Sequence, residues 1–288
     1  KYGQQFGLIS LGYFDSDDDI KNSPVQKFGE YRPGDVKYKD INANANTLIS
    51  YINKYKADLF VAPELCLTGY LFRNEDELKQ LLINNDAYIS RISDVCIKTK
   101  SSIVFGHAIV EDNKVYNSAL LIDSTGDIKR YRKIHLSKIE KRLFTEGNEI
   151  PIFTVENVKI GINICYDLWI PEISRILFLK KVQVICCPCS FGGPWTYDIA
   201  RTRAMENKTY YVIANRIGSE NIDGIDAHFR GESKVYDYQG DIISQLKRKT
   251  GIKIIEINEN KTITKETLMS DDILYEAQKY CINQQKEV

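Results

Sequence analysis

Three short stretches of this chain hold residue types, in settings, that could do covalent chemistry. In Gly161-Ile-Asn-Ile-Cys-Tyr-Asp-Leu-Trp-Ile-Pro-Glu172, a cysteine follows an alternating apolar run and precedes a proline and a glutamate suited to a helix start. Ile160, Ile162 and Ile164 alternate with Gly161 and Asn163 at the period of a strand, so Cys165 is expected where that strand gives way to a helix beginning near Pro171. A nucleophile on such a corner is lifted into a cleft, with backbone N–H groups aimed at whatever it attacks. A free thiol is mostly protonated at neutral pH and needs help to react. The three histidines, His107, His135 and His228, lie in no recognisable cysteine-histidine signature. The alternative is a carboxylate as base with a lysine as fixed positive charge, and Pro63-Glu-Leu-Cys-Leu-Thr-Gly-Tyr70 and Tyr131-Arg-Lys-Ile-His-Leu136 supply both.

The elements that must carry these stretches follow from hydrophobic period. Gln5 to Tyr13 reads as a first strand, and Ile41, Ala45, Leu48, Ile52 and Tyr55 mark an amphipathic helix. Asp58 to Ala62 is a short strand that delivers Glu64 at its carboxyl end, where the chemistry of open α/β sheets gathers. Tyr88, Ile92, Val95 and Cys96 mark another helix, and Ile103 to His107 a strand. Val115 to Asp123 and Asp127 to Lys133 form a hairpin turning at Thr125-Gly126, with Lys133 leaving its second arm. After Cys165 come a helix to about Phe178, a strand at Val182, a helix over Asp198 to Asn207 and a strand over Tyr210 to Asn215. Phe229 to Ile257 reads as a β meander, and a polar tail begins after about residue 258. Alternating strands and helices indicate an α/β protein with layered packing, and no linker divides residues 1–288.

In that order and those contexts, Glu64, Lys133 and Cys165 resemble the catalytic Glu-Lys-Cys set of the nitrilase, or carbon-nitrogen hydrolase, superfamily. Glu140-Lys-Arg-Leu-Phe-Thr-Glu-Gly147 resembles the segment with the family's second glutamate. Arg201 to Asn207, Asn215 to Gly218 and Gly231 to Gly240 resemble three further blocks, so the likeness spans nearly the whole sequence. It implies a four-layer α-β-β-α sandwich and homodimers or higher homo-oligomers that extend the layers. It also implies acyl transfer through a thioester, with Glu64 as base, and with Lys133 and the Tyr166 backbone N–H at the oxyanion. Glu140 is the expected second glutamate and Glu146 its competitor, for orienting the lysine or the substrate.

Cys165-Tyr-Asp167 is similar to the amidase-type branches, where nitrilases more often carry Trp-Glu. The expected reaction is therefore hydrolysis of a small amide to a carboxylic acid and ammonia. The alternatives are N-carbamoyl amine or amino-acid hydrolysis, a glutaminase feeding a partner synthetase, and a non-catalytic binding relative. Taken singly, Glu64 reads as a turn cap, Lys133 as a solvated side group and Cys165 as a buried thiol; their joint order favours catalysis. Tyr70, Trp169, Phe191 and Trp195 are candidates to line a substrate cleft, although aromatics are more often core. Arg201 and Arg203 face either a substrate carboxylate or a helix-surface ion pair. His135, Asn207 and Arg216 read as structural.

Composition sets outer bounds. With 288 residues, 43% hydrophobic and 27% charged, the sequence is ordinary for a globular protein. Its 39 basic and 39 acidic residues balance, which suggests neither a nucleic-acid nor an anionic-membrane partner. No apolar run approaches bilayer length, no export signal is evident, and seven irregularly spaced cysteines suit reduced thiols, so a cytoplasmic enzyme is expected. Cys186-Cys-Pro-Cys189 invites a metal or redox reading, but Val182 to Cys187 reads as a buried strand, and neither metal nor organic cofactor is expected. The acidic loop of Asp15, Asp17, Asp18 and Asp19 is expected to be solvated.

Overall fold

Two six-stranded sheets are built on one plan, three parallel strands flanked by antiparallel ones. The computed structural model of the protein describes residues 6–13 and 36–257. In the first sheet β1 (Phe6–Tyr13), β2 (Leu59–Val61) and β3 (Ser102–Glu111) run parallel. Beyond β3 lie β4 (Lys114–Ile122) and β5 (Ile128–Arg132), and β14 (Lys247–Ile257) pairs antiparallel with the free side of β1. In the second sheet β7 (Val158–Ile162), β8 (Val184–Cys189) and β9 (Tyr210–Asn215) run parallel. They are flanked by β6 (Phe153–Val155) on one side and by β12 (Lys234–Tyr236) and β13 (Ile242–Gln245) on the other. A separate hairpin pairs β10 (Ile217–Ile222) with β11 (Ile225–Arg230).

The pleat of the strands sets the layers. On β2, Leu59 and Val61 join Val104, Ala119, Leu121 and Tyr131 against the second sheet, while Phe60 faces the opposite way. There Phe60, Ile103, Phe105 and Ile122 meet Ile41, Ala45, Leu48 and Ile52 of α1 (Ile41–Lys54) and Ile92, Val95 and Cys96 of α3 (Asn85–Thr99). On the far side α4 (Pro171–Leu179) and α5 (Trp195–Asn207) cover the second sheet with Ile173, Leu177, Ala200 and Ala204. The result is the expected four-layer α-β-β-α sandwich. Each of the six residues of β8 is buried, as a parallel strand covered on both faces requires, and this explains Cys186, Cys187 and Cys189 as free thiols in a strand.

Local signals place most element ends. Asp40 caps α1 by accepting from Ala43 N at 2.9 Å, and Pro171 opens α4 with the missing N–H a first turn does not need. Other expectations need correction. The stretch from Phe229 to Ile257 is not one meander: its strands go to three sheets, with β11 pairing back on β10 through the positive-φ pair Asp223-Gly224 and β14 crossing to β1. Alternation marks strands but not their partners. Helix α2 (Glu75–Leu81) has no apolar period to announce it, because it buries only Leu78; its signals are the Asn74 cap and three acidic residues in its first turn. The α5 helix begins at Trp195, earlier than the expected Asp198. The Asp15 to Asp19 loop and the tail after 258 lie outside the described residues. No helix among the described residues is long and apolar enough to cross a membrane.

His107 on β3 is buried with both ring nitrogens unpartnered, opposite Ser118, whose hydroxyl is also unpartnered. Burial holds its imidazole down to about 3. Because this is below the value in an unfolded polypeptide, the unfolded state takes up the proton first. Stability present above about pH 6.5 is therefore lost as pH falls toward 3, by on the order of 4 kcal/mol. Urea midpoints measured from pH 7 to 4 should fall less steeply for His107→Leu than for the parent; parallel curves would show that this imidazole does not drive the loss.

Candidate active site

Glu64, Lys133 and Cys165 all leave the carboxyl ends of strands, and two leave on strained corners. Glu64 follows β2 and is succeeded by Leu65 at φ 47°, so the backbone turns sharply away from the sheet. The turn lies directly on β3: Cys66 N donates to Gly106 O and Gly106 N to Pro63 O, both at 3.0 Å. A Cβ on Gly106 would stand 2.3 Å from the Glu64 Cα, so only glycine lets the loop approach so closely. Cys165 itself has φ 46° and opens a 3₁₀ turn from Cys165 to Trp169. Strand β7 ends at Ile162, short of the run of alternation, because the Ile164 N–H bonds the Asp167 carboxylate at 3.0 Å instead of continuing the ladder. Lys133 is set just past β5 by two backbone bonds of 2.8 Å, its N–H to Asn117 O and its C=O from Gly147 N.

Lys133 is fully buried between two carboxylates. Its Nζ lies 2.7 Å from Glu64 Oε1 and 2.5 Å from Glu140 Oε1. The Asn117 Nδ2 donates to the same two oxygens, each at 2.8 Å. Glu140 enters from a 3₁₀ turn (Glu140–Arg142), and its second oxygen takes the Ser137 N–H at 2.8 Å. Glu64 Oε2 has no hydrogen-bond partner although it is buried. The other glutamate considered, Glu146, is exposed and pairs with Lys141 at 3.0 Å, so Glu140 is the one at the lysine.

These environments push the two carboxyls apart. Burial, opposed by Lys133 and helped by Glu140, holds Glu64 above the ordinary carboxylate range. Burial acts on Glu140 too, but the Lys133 charge and the bonds from Lys133 and Ser137 outweigh it, and Glu140 titrates below that range. Lys133 stays charged: burial opposes its charge, yet Glu140 and Glu64 hold it well above the usual lysine value. A hydrogen bond with Cys189 favours the Cys165 thiolate, but burial and the Glu64 charge leave the thiol above its ordinary range. The site thus holds a protonated thiol, a fixed cation, an ionised carboxylate and a second carboxylate held above the ordinary range, the pairing that separates acid from base roles.

Asp167 ties the nucleophile corner to the lysine strand. Fully buried, it accepts from Tyr131 OH at 2.8 Å, His135 N at 2.8 Å and Ile164 N at 3.0 Å, and contacts His135 Nδ1 at 3.2 Å. Arg203 braces the same turn through Leu168 O at 3.1 Å and pairs with Glu206 at 2.9 Å, while Arg201 Nε holds Gly240 O at 2.9 Å. Both arginines are therefore committed to structural contacts. His135, Asn207 (to Arg203 O, 2.9 Å) and Arg216 (to Glu220) are structural as expected.

Of the four aromatics, Tyr70 lies within electrostatic reach of Glu64, Lys133, Glu140 and Cys165. Its ring meets Phe229 edge-on at 5.7 Å, and Glu220 Oε2 holds its N–H at 2.9 Å and that of Leu71 at 2.8 Å. Phe191 is half-buried against Tyr197, with its backbone clasped by the Asn215 amide. Trp195 is 68% and Trp169 40% exposed, and Tyr166, directly after Cys165, carries its ring outward. Among the described residues no group of three or more histidine, cysteine or acidic side chains is placed to hold a metal ion. The sequence assigns no role to Asn117, Ser137 or Asp167; for Asn117 and Asp167 the available signal is a polar residue inside an otherwise apolar run, and Ser137 offers none of that kind.

A family model described as carbon-nitrogen hydrolase matches residues 30–264. The chain belongs to the carbon-nitrogen hydrolase family. A Pyrococcus abyssi nitrilase is 33% identical over 221 residues, 75% of this protein and 83% of its own length. A Bacillus subtilis 2-oxoglutaramate amidase is 30% identical over 251 residues, 83% and 94% of the two proteins. The solved structure of a carbon-nitrogen hydrolase from Helicobacter pylori superposes with TM-score 0.78 at 22% identity, covering 99% of each protein, which fixes the nitrilase-superfamily fold. For this carbon-nitrogen hydrolase, Asp167→Asn should cost about 2–4 kcal/mol by urea unfolding, since a donor amide would face groups that themselves donate. A change below about 0.5 kcal/mol, the usual scatter for a site without special contacts, would show that the four contacts to Asp167 do not hold the corner.

Proposed function

We propose that this enzyme hydrolyses a small amide through a thioester on Cys165, releasing ammonia and a carboxylic acid. The observation that carries the reading is the buried Lys133 ammonium shared by Glu64 and Glu140, with one Glu64 oxygen unpartnered in the same electrostatic neighbourhood as a protonated thiol. Glu64 takes the Cys165 proton as Sγ attacks the carbonyl carbon, then gives that proton to the departing nitrogen. Lys133 and the Tyr166 N–H face the developing oxyanion, and Glu140, ionised throughout, keeps Lys133 in place. Water then attacks the thioester, Glu64 accepts its proton and returns it to Sγ, and the acid leaves.

An amide fits better than a nitrile because the corner reads Cys165-Tyr-Asp167, the pattern of the amidase-type branches. Tyr70, within electrostatic reach of all four groups, is a proposed substrate contact. The working unit is proposed to be a homodimer or higher homo-oligomer that acts on a small molecule, with neither nucleic acid nor membrane as partner.

Intact-mass spectrometry of the enzyme with a panel of amides, N-carbamoyl compounds and nitriles, with ammonia assayed in parallel, tests this directly. A thioester adduct on the parent and none on Cys165→Ala, with ammonia from amides, is the expected result. Equal ammonia from both proteins would remove Cys165 from the mechanism, and ammonia from N-carbamoyl compounds alone would move the substrate to that class. Lys133→Met should lower kcat by about 10²–10³-fold, the equivalent of one oxyanion donor lost. Because Glu64 must be ionised to accept a proton and its carboxyl is held above the ordinary range, kcat/KM should fall through an acid limb above about pH 4.3. A limb at or below that value would place the base elsewhere.

A further inference from the structure

Three observations converge on Asn117, a residue of β4 that the proposed reaction does not itself use. It is fully buried, its backbone carbonyl receives the Lys133 N–H at 2.8 Å, and its side-chain amide lies 2.8 Å from both Glu64 Oε1 and Glu140 Oε1. An amide nitrogen carries two protons, and here each carboxylate takes one. The Asn117 Oδ1 is left without a partner, so the side chain serves purely as a donor.

The consequence falls on Glu64. Its Oε1 is occupied by Lys133 and Asn117, and its Oε2 has no bond at all. One oxygen is thereby committed and the other left open. We propose that Asn117 is a positioning residue that selects Oε2 of Glu64 as the proton acceptor for Cys165 and keeps the two carboxylates from repelling each other out of register. The proposal rests on Glu64 acting as the base.

The charge count explains why such a donor is required. Two carboxylates face a single ammonium, and like charges in so dry a site drive one of them to take up a proton. The groups that face Glu64 are Lys133 past β5, Glu140 from its 3₁₀ turn, Asn117 from β4, Cys165 past β7, and Tyr70 from its own loop. Only Lys133 and Asn117 donate to it. Ser137 does the corresponding service for Glu140 alone, on its other oxygen. Asn117 is the one neutral group among the described residues that bonds both carboxylates at once. Without it, Glu64 Oε1 keeps only the lysine it shares, and the carboxyl gains its proton at higher pH.

The test needs no substrate. Site-resolved mass spectrometry follows alkylation of Cys165 by iodoacetamide from pH 4 to 9 in the whole protein, for the parent, Asn117→Ala and Asn117→Ser, each checked by thermal melting. The parent should show an acid limb where Glu64 loses its capacity to accept the thiol proton. In Asn117→Ala that limb should move up by about one pH unit, so that alkylation below it is about tenfold slower while the rate well above it changes little. Making the same change in Glu140→Gln should shift the limb by less, because only one carboxylate then needs the amide. Asn117→Ser, with a small hydroxyl donor, should lie between the parent and Asn117→Ala, and it carries the test if the alanine variant does not fold.

A folded variant whose limb coincides with the parent's would overturn the proposal. So would a uniform loss of rate at every pH, which would mark Asn117 as a packing residue. A parent with no acid limb would instead remove Glu64 from the role of base and take the proposed mechanism with it. That failure is visible in the parent alone, and so is separable from failure of the Asn117 assignment.

Discussion

A lysine ammonium closed off from water dominates this molecule. Stripping such a charge of solvent costs several kcal/mol, and one carboxylate partner rarely repays that in full. Here the protein supplies two carboxylates and an amide that bonds both, so nearly every donor and acceptor around Lys133 is matched. The exceptions are the Oδ1 of that amide and, facing the chemistry, one oxygen of Glu64. The cluster can leave that oxygen unbonded because the rest is over-determined, and an open acceptor in a rigid polar site is what general-base chemistry needs. In the proposed reaction, moving a proton from Cys165 to Glu64 transfers negative charge to sulfur without altering the total charge, so Lys133 and Glu140 need not rearrange.

Neither sheet could build this alone. Glu64, Asn117 and Lys133 belong to the first sheet, while Cys165 belongs to the second, and the two are fastened where their strands end. Asp167, one turn past the nucleophile, takes bonds from Tyr131 and His135 on either side of the lysine. Ser190, past the end of β8, donates to the backbone carbonyl of Glu64 at 3.1 Å. The parallel triplets at the centre of each sheet point their carboxyl ends to the same region, and the strained corners at Leu65 and Cys165 turn side chains into it.

Much of this was readable from the sequence, and what was not has physical causes. Apolar runs located β1, β2, β8, β9 and the β4 and β5 hairpin, helical period located α1 and α3, and Pro171 with Glu172 marked the start of α4. Order and context singled out Glu64, Lys133, Cys165 and Glu140, and the structure gathers all four. Spacing does not report how side chains 23 to 53 residues apart share hydrogen bonds, so Asn117 and Asp167 carried no visible role. Trp195 and Trp169 show the converse: proximity in sequence to a motif did not bring their rings out of solvent. The late strands were recognisable as strands, but which sheet each would join depends on long-range pairing that no local pattern encodes.

That long-range pairing bears on how folding proceeds. Phe6 lies opposite Ile257, so the sheet carrying Glu64 and Lys133 is completed by two segments some 250 residues apart. Contacts of such separation form late and slowly, since the intervening residues must be ordered or looped out before they are rewarded. During synthesis, a nascent polypeptide that has emerged through Asn215 already contains Glu64, Asn117, Lys133, Glu140 and Cys165, yet β14 is still unmade and one edge of β1 stays bare. A bare strand edge is a template for the wrong partner. The strand that contributes nothing to the chemistry is thus the one on which the nascent protein's resistance to misassembly depends.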